Sequence, residues 1–366
     1  MTTEVNSLYT IRGRGAAANP VNRFELIEMV PDAETMDEDL AELGELPLPQ
    51  TQLIRDATRT IIAYNDSPDI GFDCSVNPYR GCEHGCIYCY ARPTHEYFGL
   101  SAGLDFETKI FVKTDAAELL RKEFMKNSWD PKVIVMSGVT DPYQPIERKL
   151  RITRSVIEVM AEFRNPMAII TKNHLVTRDI DLFQQLHEHR CISVSVSITT
   201  LKQDLQHIME PRTSIPARRL AAVEKLAKAG IPVGVMVAPI VPGLTDEEMP
   251  SILQSARDAG AQWAGYVILR LPHAVAPLME DWLQRHYPDR KDKVINRVKE
   301  MRGGKLYDSR WGIRGRGEGE FAEQIGRLFE IAKRKAGYRT DRRTDGLSTS
   351  AFKRPTIPGS QMSMFE

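Results

Sequence analysis

The amino-acid sequence predicts an α/β fold: a partial (β/α)6 barrel, similar to an incomplete TIM barrel, with N- and C-terminal extensions. Short apolar runs, mostly of β-branched residues, are each followed by loop residues, as expected of parallel strands buried on both faces. Amphipathic segments lie between these runs, and the spacing of about 25–40 residues suits right-handed crossovers. Six such units are too few for a complete eight-unit barrel. A doubly wound open sheet is the alternative.

The individual elements follow from these patterns. Strands are predicted at residues 72–80, 132–139, 167–173, 191–198, 233–241 and 264–271. In the fourth strand serine alternates with valine or isoleucine, so Ser193, Ser195 and Ser197 share one face. Helices are predicted at residues 146–163, 178–190, 215–229, 246–259 and 275–286. Thr245 is the expected N-cap of the fourth helix, and Gly230 ends the third helix at its C′ position.

Composition divides the chain into four parts. An acidic, irregular extension (1–70) precedes a core domain (71–286), a basic helical segment (287–337) and a tail expected to be disordered (338–366). The hydrophobic fraction of 42% and charged fraction of 27% are typical of globular proteins. The sequence has no long apolar run for a transmembrane helix and no apolar signal at its start. We therefore expect a cytoplasmic, monomeric protein without a membrane partner.

The net charge of zero hides an uneven distribution. Residues 24–46 hold nine acidic side chains and no basic one, whereas residues 302–343 hold twelve basic and six acidic side chains. The pentapeptide IRGRG occurs at 11–15 and again at 313–317. Flexible Arg-Gly segments suit phosphate backbones, and mobile solvated loops are the alternative. The candidate nucleic-acid contacts are Arg12, Arg14, Arg314 and Arg316.

Three of the five cysteines lie close together: Cys82, Cys86 and Cys89 have the spacing C-x3-C-x2-C. The odd, low cysteine count favours reduced thiols over a disulfide framework. A zinc site would need a fourth ligand, for which His84 and His95 are candidates. A redox pair would leave Cys82 unexplained, and an electron-transfer ferredoxin would need four thiolates per cluster. Three thiolates fit a 4Fe–4S cluster with one iron left open.

This cysteine motif resembles the signature of the radical S-adenosylmethionine (SAM) superfamily, C-x3-C-x-aromatic-C, in which Tyr88 supplies the aromatic residue. The resemblance covers roughly residues 70–272. It implies that SAM chelates the open iron and that an electron donor such as ferredoxin or flavodoxin reduces the cluster. Cleavage of SAM then gives methionine and a 5′-deoxyadenosyl radical, which takes a hydrogen atom from the substrate.

Within this superfamily, the stretch SVNPYRGCEHGCIYCYAR is similar to the subgroup of spore photoproduct lyase and DNA repair photolyase-like proteins. The likeness implies that Thr140 and Asp141 bind the amino end of SAM and that Lys172 binds its carboxylate. Asp141 as a helix N-cap and Lys172 as a surface lysine are the alternatives. Further candidate contacts of SAM are Tyr88, Ser195, Ser197, Arg212 and Arg218.

The sequence departs from the lyase pattern at Gly138, where the lyase has the cysteine that returns a hydrogen atom to its product. The hydrogen donor is therefore unknown. Tyr143 and Cys74 are candidates, and packing in the core is the alternative for both. The other candidates are Tyr79, Tyr90, Tyr97 and Cys191.

Three functions are compatible with these patterns. The first is a radical SAM enzyme that acts on nucleic acid in a lyase or repair reaction, supported by the basic region and the IRGRG segments. The second is the same chemistry on a protein or small metabolite, with the basic region recruiting the electron donor. The third is a non-enzymatic zinc or iron–sulfur module, which predicts no cleavage of SAM.

Overall fold

The computed structural model describes residues 11–24, 49–136, 138–338 and 346–355. Apart from Phe24, the acidic stretch at 24–46 lies outside the described residues. Within the described ranges, no helix is both long enough and apolar enough to cross a membrane.

A central sheet of seven strands and a smaller sheet of three form the framework. The strands are β1 (Gln52–Arg55), β2 (Ile62–Tyr64), β3 (Cys74–Val76), β4 (Tyr79–Arg80), β5 (Lys109–Val112), β6 (Ile134–Met136), β7 (Met167–Thr171), β8 (Ile192–Ser197), β9 (Val233–Ile240) and β10 (Trp263–Ile268). The central sheet has the order β10-β9-β8-β7-β6-β3-β2, and every neighbouring pair is parallel except β2 and β3. Its six parallel strands follow one another in chain order, which confirms the predicted α/β fold.

Helices connect these strands. They are α1 (Leu104–Thr108), α2 (Ala116–Phe124), α3 (Glu147–Leu150), α4 (Ile152–Phe163), α5 (Ile180–His187), α6 (Gln203–Met209), α7 (Pro216–Lys228), α8 (Met249–Asp258), α9 (Val275–His286), α10 (Pro288–Glu300) and α11 (Glu320–Lys335), with 3₁₀ turns at Arg92–Phe98, His174–Asp179 and Asp246–Glu248. The single helix predicted at 146–163 is divided into α3 and α4, because Arg151 has a left-handed backbone conformation with φ 54°. The predicted N-cap Thr245 precedes a 3₁₀ turn, and its hydroxyl accepts from the Val241 N–H instead of capping.

The two faces of the central sheet differ in chemistry. On β8, Val194 and Val196 are fully buried in the core that the helices cover. Ser193, Ser195 and Ser197 point to the opposite, inner face, because side chains alternate along a strand. The inner face of β8 therefore carries small polar side chains, whereas its outer face is apolar.

The central sheet stays open, because β10 at one edge and β2 at the other gain no further strand among the described residues. The basic strap, defined here as residues 302–317, lies along the β10 edge, where the Ile268 N–H donates to the Gly315 carbonyl (2.9 Å). Arg314 reaches the loop between β2 and β3, with its Nε 2.6 Å from the Asp69 carboxylate. The strap therefore joins the two edges of the open barrel without adding a strand.

The boundaries of the core domain at 71–286 stay a prediction. β2 belongs to the predicted N-terminal extension, yet it pairs with β3 and so extends the central sheet. Residues 346–355, from the tail expected to be disordered, pack on the body of the protein. Phe352 contacts the rings of Phe124 and Phe163 there.

Candidate active site

The cysteine loop, residues 81–91, follows β3 and β4 at the carboxyl end of the parallel strands. Its backbone is fixed from two sides. The Cys82 N–H donates to the Phe106 carbonyl (2.9 Å), and the Ile87 N–H donates to the Met209 carbonyl (3.1 Å). The protein itself therefore determines the conformation of the loop.

The three thiols of this loop are shielded from water. Cys82 and Cys86 are each 7% exposed, and Cys89 is half-buried. Burial raises the pKa of all three thiols, and the charges of Asp141, Cys86 and Cys89 raise the pKa of Cys82 further. Three neighbouring thiolates repel one another, so their deprotonated forms need a cationic partner. A positively charged inorganic group meets that need.

The donor set distinguishes between such groups. Among the described residues, no three His, Cys, Asp or Glu side chains converge as a site for a single metal ion. Both histidines considered as a fourth zinc ligand have other contacts: His84 lies between Asp141 (3.4 Å) and Asn173 (3.2 Å). The His95 Nε2 donates to the Lys109 carbonyl (2.9 Å). The three thiols thus fit the 4Fe–4S cluster expected from the sequence.

Arg92 holds the cysteine loop from within the protein and is itself fully buried. Its Nε donates to the Cys86 carbonyl (3.0 Å), and its Nη2 donates to the Gly85 carbonyl (3.2 Å). The same Nη2 forms an ion pair with the buried Glu107 carboxylate (2.5 Å). Sequence reasoning missed this role, although the place of Arg92 directly behind the motif was a signal.

The first IRGRG segment packs on this ion pair. The N–H groups of Gly15 and Ala16 donate to the Glu107 carboxylate at 3.1 and 2.9 Å. The Arg14 Nη1 donates to the backbone carbonyl of Glu107 (2.9 Å). The Arg14 guanidinium is thus engaged within the fold, whereas the Arg12 side chain is exposed.

Replacing Gly15 by alanine should disturb the cysteine loop, because an added Cβ would lie 1.9 Å from the Gly85 carbonyl oxygen. The backbone must shift to relieve that overlap, so we expect a loss of about 1–3 kcal/mol in the free energy of unfolding and less iron per chain after reconstitution. Thermal unfolding and iron analysis measure both. Gly315→Ala is the control, since its Cβ would meet no atom within 4 Å. Wild-type stability and iron content in Gly15→Ala would contradict the close packing.

Asp141 connects the end of β6 with the end of β7. Its carboxylate accepts hydrogen bonds from the Thr171 hydroxyl and the Lys172 N–H, both at 2.7 Å. His84 of the cysteine loop lies 3.4 Å from the same carboxylate. The neighbouring Thr140 is buried, and its hydroxyl is 3.4 Å from a backbone carbonyl of β4. Asp141 is therefore fixed beside the loop, at the carboxyl end of the sheet.

The Lys172 ammonium points toward the same place. Its Nζ donates to the Ala238 carbonyl (2.8 Å) and lies 3.5 Å from the Glu210 carboxylate. The Tyr88 ring centre is 5.7 Å from this Nζ. Since its side chain remains 16% exposed, Lys172 presents a cation to the space beside the motif tyrosine.

Glu210 organises this part of the site, and sequence reasoning did not identify it. The fully buried carboxylate accepts hydrogen bonds from Tyr88, Arg219 and, at 2.7 Å, Thr199. Burial alone would raise the pKa of Glu210, but Arg219 and Lys172 lower it to about 2. The anion therefore holds the motif tyrosine and Lys172 in fixed positions.

The remaining predicted SAM contacts are spread over a wider area. Ser195 is half-buried and Ser197 is buried, both on the inner face of β8. The Arg212 guanidinium is 3.2 Å from the Glu83 carboxylate of the cysteine loop. Arg218 is exposed on α7. The serines thus line the inner face, while Arg212 braces the loop.

The candidate hydrogen donors differ in accessibility. Tyr143 and Cys74 are fully buried, and the Tyr143 hydroxyl donates to a buried aspartate. Tyr90 follows the last cysteine, is 48% exposed and donates from its hydroxyl to the Gly138 carbonyl (2.5 Å). The Arg270 guanidinium lies 4.1 Å from the Tyr90 ring centre. Tyr90 and Arg270 therefore form the rim of the site next to Gly138.

Comparison with known proteins defines the class. The model of the radical SAM superfamily matches residues 76–256. An uncharacterised protein of Mycobacterium tuberculosis is 35% identical over 232 residues, which is 63% of this chain and 67% of that protein. The chain belongs to the radical SAM superfamily, which confirms the family predicted from the cysteine spacing.

Two other similarities are more distant. The radical SAM Nalpha-GlyT isomerase of Pseudomonas phage M6 is 23% identical over 222 residues, which is 60% of this chain and 44% of that protein. Spore photoproduct lyase complexed with dinucleoside spore photoproduct matches with a TM-score of 0.53 and 19% identity, over 84% of this chain and 91% of that chain. The second similarity shows a shared fold.

Proposed function

We propose that this radical SAM enzyme cleaves SAM reductively at a 4Fe–4S cluster held by Cys82, Cys86 and Cys89, and that the 5′-deoxyadenosyl radical acts on nucleic acid in a repair lyase-like reaction. The observation that carries this proposal is the placement of the cysteine loop beside Asp141 and Lys172, which follow consecutive parallel strands. The carboxyl edge of parallel strands is where α/β folds bind their ligands.

The residues of the chain then have distinct tasks. A bound cluster supplies the electron that breaks the C–S bond of SAM. In this proposal the Lys172 ammonium donates to the carboxylate of SAM, and the Asp141 carboxylate accepts from its ammonium; their positions beside the cysteine loop support these roles. A single-electron donor such as ferredoxin or flavodoxin is the expected partner.

The rim of the site supports nucleic acid as the substrate. Tyr90 and Arg270 present a stacked aromatic ring and guanidinium beside the cysteine loop. Such planes hold unstacked bases in many single-strand binding proteins. The fold shared with spore photoproduct lyase, whose complex contains a dinucleoside photoproduct, agrees with this substrate class.

The lack of a thiol at Gly138 favours a second candidate function. Residue 138 is glycine and has no side chain, so this position offers no thiol to return a hydrogen atom. The reaction of the lyase therefore does not transfer directly to this chain. The second candidate is the same radical chemistry on a protein or small metabolite.

Anaerobic reconstitution tests both parts of the proposal. With dithionite and SAM we expect 5′-deoxyadenosine, formed faster when thymidine oligonucleotides are present. The enzyme assignment fails if an intact cluster yields no 5′-deoxyadenosine. The substrate assignment fails if a peptide or metabolite accelerates the reaction while DNA and RNA, even at low salt, neither bind nor accelerate it.

A further inference from the structure

The basic strap contains a pocket of about 310 Å³ that no step above uses, lined chiefly by Arg302, Lys305, Tyr307, Asp308, Ser309 and Arg310. We propose that this pocket binds a phosphate group. Under the proposed function, on which this part rests, that group is a phosphodiester next to the reacting base of the nucleic acid.

The lining offers hydrogen-bond donors that are free to bind a ligand. Within the described part of the chain, the Lys305 ammonium and the hydroxyls of Tyr307 and Ser309 have no hydrogen-bond or ion-pair partner. An ammonium and two hydroxyls that approach from different residues suit a tetrahedral oxyanion, and these side-chain types are common phosphate contacts. The free donors therefore favour phosphate as the ligand.

The charge balance of the pocket is positive. Asp308 is the one carboxylate of the lining, and both of its oxygens accept from Arg310: Oδ2 from Nη2 (2.6 Å) and Oδ1 from the backbone N–H (2.9 Å). Arg310 also donates to Glu318 (2.9 Å), so this group of three carries one net negative charge, and with Arg302 and Lys305 the total around the pocket is +1. Lys305 and the buried Arg302 form no ion pair among the described residues, although the Asp308 carboxylate acts on both through its charge. An anion in the pocket would compensate both.

Arg302 stands behind the pocket and is only 1% exposed. Its Nη2 donates to the Leu269 carbonyl (2.8 Å) and its Nη1 to the Ile313 carbonyl (3.2 Å). Its Nε has no partner among the described residues. Burial and the nearby Arg270 lower the pKa of Arg302, and the charge of Asp308 acts in the opposite direction.

The same contacts place the pocket next to the mouth of the active site. Leu269, which Arg302 holds, directly follows β10, and the next residue is Arg270, which stacks on Tyr90. The ring of Tyr307 lies 6.4 Å from His273, in the same loop after β10. A phosphate in the pocket would therefore lie beside a base that stacks on Tyr90 and Arg270.

Binding experiments with the cluster-loaded protein test this site, using the dinucleotide TpT, thymidine and inorganic phosphate as separate probes. The Lys305→Ala variant should bind TpT and inorganic phosphate about tenfold more weakly than the wild type. Its affinity for thymidine should not change. The slope of log affinity for TpT against log salt concentration should fall by about 1. Lys122→Ala, which removes an exposed lysine of α2, is the matched control and should change nothing.

The outcomes separate this inference from the proposed function. If wild type, Lys305→Ala and Ser309→Ala bind TpT and inorganic phosphate with equal affinity, the pocket is not a phosphate site. This holds even if nucleic acid remains the substrate. If inorganic phosphate binds through Lys305 but TpT and longer nucleic acids do not bind, the phosphate site is supported. The proposal that nucleic acid is the substrate is then wrong. Cleavage of SAM without substrate should stay at the wild-type rate in both variants, which verifies their fold.

Discussion

The Cys86→Ala variant should lose its iron and sulfide, and with them all reductive cleavage of SAM. Cys86 is 7% exposed, and its carbonyl is held by the buried Arg92, so the loop cannot rearrange to bring another ligand into its place. Two thiolates then remain where three are needed. Iron and sulfide analysis, the visible absorption of the cluster and the yield of 5′-deoxyadenosine measure the loss.

Cys191→Ala is the matched control for this experiment. Cys191 is equally a buried cysteine, but its Sγ lies 3.2 Å from the Arg164 carbonyl, outside the cysteine loop. We expect a loss of about 1–2 kcal/mol in stability and a wild-type iron content. Full iron in Cys86→Ala, or an equal loss in Cys191→Ala, would show that the cluster is held by other residues.

Local patterns explain which elements the sequence predicts well. The helix predicted at 275–286 coincides with α9, and the strand predicted at 233–241 agrees with β9 to within one residue. Each of these is determined by its own apolar periodicity. β1 and β5 escaped prediction because each has four residues and is stabilised by pairing with the other, far away in the sequence.

The same distinction applies to the site. Cys82, Cys86 and Cys89 lie on one loop, so their spacing alone reveals them. The hydrogen bond between Tyr88 and Glu210 joins residues 122 positions apart, and no local pattern marks a buried carboxylate. Partners that only the tertiary fold brings together cannot be read from spacing.

The two IRGRG segments show how context changes the role of identical residues. Arg14 donates to the Glu107 carbonyl, and Arg314 pairs with Asp69 across the open side of the barrel. Arg12 is exposed, and so is Arg316, whose guanidinium lies 3.8 Å from an aromatic ring centre. Contact with nucleic acid is therefore a proposal that suits Arg12 and Arg316 better than the two engaged arginines.

Replacing Glu210 by glutamine should both destabilise the fold and weaken the binding of SAM. Glutamine keeps an acceptor oxygen for the hydroxyls of Tyr88 and Thr199 but removes the charge that faces Arg219, whose side chain is 1% exposed. Breaking a buried ion pair in this way costs about 3–5 kcal/mol. Lys172 also loses the carboxylate 3.5 Å from its Nζ, so we expect the Kd for SAM to rise about tenfold.

The double variant Glu210→Gln with Arg219→Gln separates the positioning of Lys172 from stability. With both charges removed, no uncompensated charge remains buried, so most of the lost free energy of unfolding should return. The affinity for SAM should stay low, because Lys172 still lacks the carboxylate that fixes it. Denaturant unfolding and equilibrium binding of SAM measure the two effects independently. If the double variant regains wild-type affinity together with its stability, Glu210 is only a counter-ion for Arg219, and the position of Lys172 depends on other contacts such as the Ala238 carbonyl.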